Sequence, residues 1–224
     1  MGYYQELLKY STRFLPEPGT VSLKTSTTGT FSDVFGSTLT LSGLASGDFV
    51  VIILTDNDND SIPLSSGWTN ISNNTGTASV RAAYIFSTGT SVSYTTPSGT
   101  DIDGSAVLAA FTGVDPTTPL DVSRTLNTGA ATTSVTPASV TTVTDNCMIL
   151  TALGIEGGDL TVTDPSGYTR IAKAAGGGFL NLLPSVTVLS YKQQTSSGTE
   201  SPGAFSWSGN RNARTVTIAL RPAS

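Results

Sequence analysis

The chain has 224 residues and a net charge of −5, and only 12% of its residues are charged. Its few lysines and arginines are scattered, which argues against a nucleic-acid partner because binding a phosphate backbone requires clusters of them. The sequence has no histidine, so catalytic triads and transition-metal sites built on that residue are excluded. The abundance of serine, threonine, glycine and asparagine is typical of an all-β protein.

The N-terminal segment, residues 1–28, differs from the rest of the chain. Three apolar residues near its start are spaced as on one face of a helix, and Pro16 and Pro18 end any such helix. The segment therefore predicts a short helix in an N-terminal arm that either packs on its own domain or anchors on a neighbour. The apolar residues available for anchoring are Tyr4, Leu7, Leu8, Phe14 and Leu15. The start has no basic region followed by a long apolar run, so we expect neither a signal peptide nor a membrane span.

From about Gly29 onward the sequence predicts short strands separated by turns rich in glycine, proline, serine and aspartate. The predicted strands are 37–41, 49–54, 79–86, 106–111, 140–144, 147–153, 186–191 and 215–220. No long amphipathic helix lies between them, which favours antiparallel sheets over a parallel α/β fold. We expect a single β-sandwich domain over residues 29–224.

A weak internal repeat divides this domain into halves at about 37–113 and 135–222. Trp68 follows a Ser-Gly turn in the first half, and Tyr168 follows a Ser-Gly turn 100 residues later in the second. The repeat predicts a sandwich with pseudo-twofold symmetry, resembling a jelly roll, although two small tandem sandwiches are the alternative.

One acidic stretch, Thr55 to Ser61, has aspartates at alternating positions: Asp56, Asp58 and Asp60. An EF-hand is excluded, because the loop lacks the required glycine and the bidentate glutamate, and strands flank it. Oxygen ligands from a sandwich loop can still converge on a calcium ion, so calcium binding stands as a prediction beside a purely solvated loop.

Other candidate chemistry is sparse. Glu156 and Asp159 are the carboxylates that a histidine-free glycosidase would use, but no motif surrounds them, and we expect no enzyme. Trp68, Trp207, Tyr84 and Tyr168 are the aromatic residues that could stack on sugar rings, although a core role is more usual at such positions. The single cysteine, Cys147, lies in an apolar run and is expected to be a buried thiol.

Four segments, in their order along the chain, resemble a β-sandwich module of bacteriophage virion proteins. They are G-D-F-V-V-I-I-L (47–54), P-L-S-S-G-W-T (63–69), A-F-T-G-V-D-P-T-T-P-L-D-V (110–122) and T-I-A-L-R-P (217–222). The resemblance covers roughly residues 30–222 and excludes the arm. It implies a non-enzymatic structural protein of a phage particle, either a capsid decoration (cement) protein or a tail-associated component.

The resemblance further implies a homotrimer, made in the host cytoplasm and located in the virion, whose partner is the major capsid protein or another virion protein. The arm would then insert between neighbouring subunits and bury its apolar residues there. The alternative from a different class is a glycan-binding module of a tail fibre or cell surface, which requires Trp68 or Trp207 on an exposed face.

Overall fold

The computed structural model describes residues 19–31, 37–59, 61–96, 102–176 and 184–224, and these form strands and connecting turns. The predicted all-β antiparallel sandwich is confirmed. The predicted arm helix and its five apolar residues lie outside the described residues, so they remain predictions. In the described part of the chain, no helix is long and apolar enough to cross a bilayer.

Each half of the chain forms its own set of strands. The first set is β1 (Ser22–Phe31), β2 (Thr38–Ser42), β3 (Phe49–Asp56), β4 (Thr69–Asn74), β5 (Ser79–Phe86), β6 (Ser91–Thr95) and β7 (Gly104–Thr112). The second set is β8 (Thr125–Val135), β9 (Val140–Thr142), β10 (Cys147–Glu156), β11 (Val162–Thr163), β12 (Thr169–Gly176), β13 (Ser185–Gln194), β14 (Gly198–Glu200) and β15 (Phe205–Leu220).

The strand order shows the repeat directly. The first half builds a sheet with the order β1-β7-β3-β5-β4, and the second half builds β8-β15-β10-β13-β12, with β11 also paired to β15. Each half adds a small two-stranded sheet, β2-β6 in the first and β9-β14 in the second. Every strand except β11 thus has a counterpart in the other half, and the two repeats face each other rather than exchanging strands.

The molecule has four layers, because each large sheet is covered on both faces. The central core lies between the two large sheets and includes Phe49, Val51 and Ile53 from β3, facing Met148 and Leu150 from β10. The alternate residues of β3 point the other way, into a second core under the two-stranded sheet β2-β6. Burial on both faces explains why β3 and β10 are continuous apolar runs in the sequence.

The structure changes the predicted boundaries. Residues 22–28 were assigned to the arm, but they belong to β1, which pairs with β7 along its whole length. The second repeat likewise begins earlier than residue 135, because β8 starts at Thr125 and pairs with β15. The repeats therefore extend over about 22–112 and 125–220. Threonine-rich strands such as β1 lack the apolar runs by which the other strands were recognised.

Three distant points of the chain meet at one place. The Gly19 amide donates to the Ala223 carbonyl at 2.7 Å, and the Ala223 amide donates to the Gly113 carbonyl at 2.8 Å. Gly113 has a positive φ of 75°, and an added Cβ there would collide with the Thr20 carbonyl. The start of the first repeat, the junction between repeats and the end of the second are consequently adjacent.

Candidate functional sites

The acidic stretch is divided between a strand and a loop. Thr55 and Asp56 are the last two residues of β3 and are fully buried, and the Asp56 carboxylate accepts a hydrogen bond from the Asp103 amide at 3.1 Å. Asp58 lies beyond the strand and accepts a bond from the Asn59 amide. Asp60 is outside the described residues, and within them no three carboxylate, histidine or cysteine side chains are grouped to hold a metal. Calcium binding at Asp56, Asp58 and Asp60 therefore stays a prediction.

A buried cluster of hydroxyl groups joins the two large sheets beside this stretch. Thr187 Oγ1 lies 2.8 Å from Thr55 Oγ1 and 2.9 Å from Ser105 Oγ, and it donates to the Ser105 carbonyl at 2.7 Å. Ser185 Oγ donates to the Thr55 carbonyl and lies 3.0 Å from Ser105 Oγ. All four side chains are fully buried. The cluster contains no titratable group, and its hydrogen bonds fix the position of one repeat against the other.

The two carboxylates considered for glycoside hydrolysis have separate structural partners. Glu156 Oε1 accepts hydrogen bonds from the Asn212 amide and side chain, each at 2.9 Å. Asp159 forms an ion pair with Lys173 at 2.6 Å and is mostly exposed. Glu156 thus connects the end of β10 to β15, whereas Asp159 holds the loop after β10 against β12.

The aromatic residues considered for sugar stacking lie mainly in the interior. Trp68 is 6% exposed and Trp207 7% exposed, and Tyr168 is also buried. Tyr84 is half-buried and stacks on Phe49, with ring centroids 5.1 Å apart. The expected core role fits these positions better than an exposed sugar-stacking platform does.

Trp68 and Tyr168 have the same role in the two repeats. Each follows a turn in which its own amide donates back to residue 65 or 165, with a positive-φ glycine before it. The Trp68 ring N–H donates to the Ser93 carbonyl in β6, and the Tyr168 hydroxyl donates to Glu200 in β14. Each aromatic residue therefore connects the large sheet of its repeat to the outer two-stranded sheet. Burial and the Glu200 carboxylate raise the pKa of Tyr168, which keeps its hydroxyl a donor.

Two of the phage-like segments form one contact in the structure. Asp121 pairs with Arg221 at 3.1 Å, and the Arg221 amide donates to the Pro119 carbonyl. Asp121 also accepts a bond from the Val143 amide at 2.6 Å. Burial alone would raise the pKa of Asp121, but the hydrogen bonds from Val143 and Thr144 and the charge of Arg221 outweigh it and lower that pKa. The carboxylate is therefore held ionised at the centre of this contact, which we call the clasp (Asp121, Arg221 and Val143).

The phage-like segment 47–54 also connects separate parts of the scaffold, through Asp48. Asp48, in the G-D-F-V segment, is buried and accepts bonds from the Ala45 amide at 2.7 Å and from Lys24 at 2.6 Å. Lys24 lies in β1, so Asp48 connects the edge strand to the loop before β3.

The expected burial of Cys147 is confirmed: its thiol lies 3.2 Å from the Thr144 carbonyl, and burial raises its pKa to about 12.

Two cavities lie along the seams where the large sheets meet. The first seam is between β1 and β12, and its cavity of about 330 Å³ is lined by residues that include Thr28, Thr30, Asp159 and Lys173. Lys173 there donates to the Asp159 carboxylate and to the Leu160 carbonyl. The cation of this seam is therefore neutralised by a carboxylate of its own repeat.

The second seam lies where β8 and β15 of the second repeat approach the turn between β4 and β5 of the first. Its cavity of about 120 Å³, which we call the notch, is lined by residues that include Thr77, Thr128, Gly129, Ala130, Asn212 and Arg214. The Arg214 guanidinium reaches from β15 across to β4, where it donates to the Asn74 side-chain oxygen at 2.9 Å.

The notch is not evident from the pattern of residues along the chain. Arg211, Arg214 and Arg221 are close together in the sequence and resemble ordinary strand-edge charges. In the structure they separate: Arg221 joins the clasp, Arg211 bonds its neighbour's carbonyl, and Arg214 lines the notch. Alternation along β15 predicts different faces for Arg211 and Arg214, but not which residues of the first repeat they meet.

Comparisons with protein-family models, with curated proteins and with solved structures each found no match to this chain.

Proposed function

We propose that this chain is a non-enzymatic structural protein of a bacteriophage virion, most specifically a capsid decoration or cement protein. The observation that carries the proposal is the use of the phage-like segments in the fold. Asp48, Trp68, Asp121 and Arg221, from four different segments, each connect separate elements of the scaffold through hydrogen bonds or ion pairs. The segments by which the chain resembles the virion module thus contribute contacts that stabilise its scaffold.

A rigid scaffold suits a protein that acts by binding and holding its position. Four layers of sheet, a shared central core and the buried hydroxyl cluster fix the two repeats against each other. Glu156 and Asp159 have structural partners in Asn212 and Lys173, which supports a structural role for them over a catalytic one. Within the proposal, the arm anchors the protein to the major capsid protein or another virion protein, and the sandwich decorates the surface.

Each arm contributes binding energy, and several arms that bind to the same capsid together raise the overall affinity. Burying three apolar side chains such as Leu7, Leu8 and Phe14 contributes roughly 5 kcal/mol or more before the cost of ordering the segment. If three copies associate, their arms bind together and the effective affinity rises through avidity. The proposed homotrimer is tested independently by light scattering of the purified chain in solution.

The test of the proposed function begins with particles. Cells that carry the coding sequence are induced, released particles are purified on a density gradient, and their proteins are quantified by mass spectrometry. The proposal expects the chain to band with the particles at a fixed ratio to the major capsid protein. A chain that stays in the soluble fraction while intact particles band without it would overturn the proposal. Immunogold labelling then distinguishes capsid from tail placement.

A further inference from the structure

Among the described residues that line the two seam cavities, Lys173 in the first has an acidic partner, whereas Arg214 in the second has none. Lys173 in the first seam contacts Asp159 at 2.6 Å. Arg214 in the second seam has a neutral partner, the Asn74 oxygen, and within the described residues no carboxylate lies within ion-pair distance of it. The first seam shows what completes such a site, which is a carboxylate beside the cation.

The Arg214 side chain is held in place before any ligand arrives. Its bond to Asn74 fixes one edge of the guanidinium, and its terminal atoms pack so closely on Gly76 that a Cβ at residue 76 would overlap them. Asn212 beside it is also fixed, because its side chain donates to Glu156 and accepts from the Ala131 amide. A guanidinium that is already oriented loses less freedom when it binds an anion, which favours affinity.

Partial burial has a cost for this cation. Desolvation lowers the pKa of Arg214, and the neutral Asn74 oxygen offsets the lost hydration less well than an anion would. The guanidinium retains further N–H donors beyond the one that bonds Asn74. Thr77 and Thr128 also line the notch, one from each repeat, and each has a hydroxyl group that is able to donate to a second oxygen.

We propose that the notch between the β4-β5 turn, β8 and β15 is a carboxylate-binding site in which Arg214 supplies the charge and Thr128 a hydroxyl donor. A cavity of about 120 Å³ is too small for a nucleotide or a sugar chain but accommodates a carboxylate on a short aliphatic stem. The carboxylate comes either from a small free acid or from an aspartate or glutamate side chain of a protein chain. This inference does not depend on the virion function.

The experiment is an NMR titration of the full chain, followed through the backbone amide signals of Thr77, Thr128 and Gly129. The probes are sodium acetate and N-acetyl-aspartate N-methylamide, each compared with sodium chloride at equal ionic strength. We expect saturable shifts with the carboxylates and not with chloride. If acetate alone saturates the site, the source is a small acid, whereas tighter binding of the aspartate derivative assigns a protein side chain.

Three variants separate a built site from a general effect of charge. Arg214→Gln should weaken carboxylate binding at least about tenfold, since a charge-assisted hydrogen bond is lost. Thr128→Val keeps the arginine and its bond to Asn74, and should weaken binding about threefold or more if its hydroxyl is a donor. Lys173→Gln in the other seam is the matched control and should leave the affinity unchanged.

The proposal is overturned if no saturable shift is seen, if chloride produces the same shifts, or if Arg214→Gln binds like the wild type. An equal loss of affinity in Lys173→Gln would also contradict it, because that result indicates a general electrostatic effect. Should Arg214→Gln fail to fold, Thr128→Val decides the question: a carboxylate affinity equal to that of the wild type would contradict the proposed site.

Discussion

Removing one hydroxyl group from the buried cluster between the sheets should destabilise the protein strongly. In Thr187→Val the shape of the side chain is retained, but the contacts of its oxygen with Thr55 Oγ1, Ser105 Oγ and the Ser105 carbonyl are lost. Each net hydrogen bond contributes about 1 kcal/mol, and leaving the buried carbonyl without its donor adds a further 1–2 kcal/mol or so. The free energy of unfolding should therefore fall by about 2–4 kcal/mol.

Urea denaturation, followed by tryptophan fluorescence and by circular dichroism, measures this change. The matched control is Thr141→Val in the two-stranded sheet β9-β14, where Thr141 forms an exposed hydroxyl pair with Thr199 at 2.9 Å. Water can replace that partner, so the control should change stability by less than about 0.5 kcal/mol. If Thr187→Val costs no more than the control, the cluster does not hold the repeats together.

A double-mutant cycle sharpens the same prediction. Thr55→Val removes the hydroxyl that lies nearest to Thr187, so adding Thr187→Val to it leaves fewer groups without a partner. The double variant should therefore be more stable than the sum of the single effects predicts, by roughly 1 kcal/mol. Simple additivity would show that the two hydroxyls do not interact.

Three further predictions concern the arm, the clasp and the thiol. A chain of residues 19–224 should keep the unfolding temperature of the full chain but lose binding to particles, and unchanged binding would contradict the role of the arm. Because the pKa of Asp121 is lowered on folding, its stabilising effect is present above about pH 4, its ordinary pKa, and disappears as the pH falls through the folded value. Asp121→Asn should therefore lose less stability than the wild type on acidification below about pH 4, which unfolding curves at several pH values will check. With its pKa near 12, Cys147 should react with a thiol reagent at pH 8 only after unfolding, and rapid reaction of the folded protein would refute its burial.

Most of the strands could be predicted because buried strands have a recognisable pattern of apolar residues in the sequence. A strand covered on both faces must be apolar throughout, and the runs at 49–54 and 147–153 are visible for that reason. The repeat was also predictable, since Trp68 and Tyr168 follow the same turn in the two halves. β1 was missed because its alternation is between threonines and serines of different exposure, which single-sequence patterns do not distinguish.

The candidate sites are formed by contacts between residues that are far apart in the sequence, and the sequence alone does not show which residues meet. Thr55 resembled the start of a polar loop, yet its hydroxyl bonds Thr187, a residue 132 positions later on the opposite sheet. Arg214 resembled a strand-edge charge, and only the packing of β15 against the β4-β5 turn gives it Asn74 as its partner. Alternation along one strand predicts the face on which a side chain lies, but the identity of its neighbour depends on how the sheets are stacked.

The meeting of Gly19, Gly113 and Ala223 has a consequence for the order of the repeats. Because the two repeats begin and end at the same place, a short linker from residue 223 to residue 19 and a new opening near Gly113 would reverse their order along the chain without moving any strand. Such a circular permutant should fold to the same four layers. The order of the repeats along the chain then depends only on how they are connected and not on how they pack. Any segment attached at residue 19 or at residue 223 leaves the sandwich from the same corner.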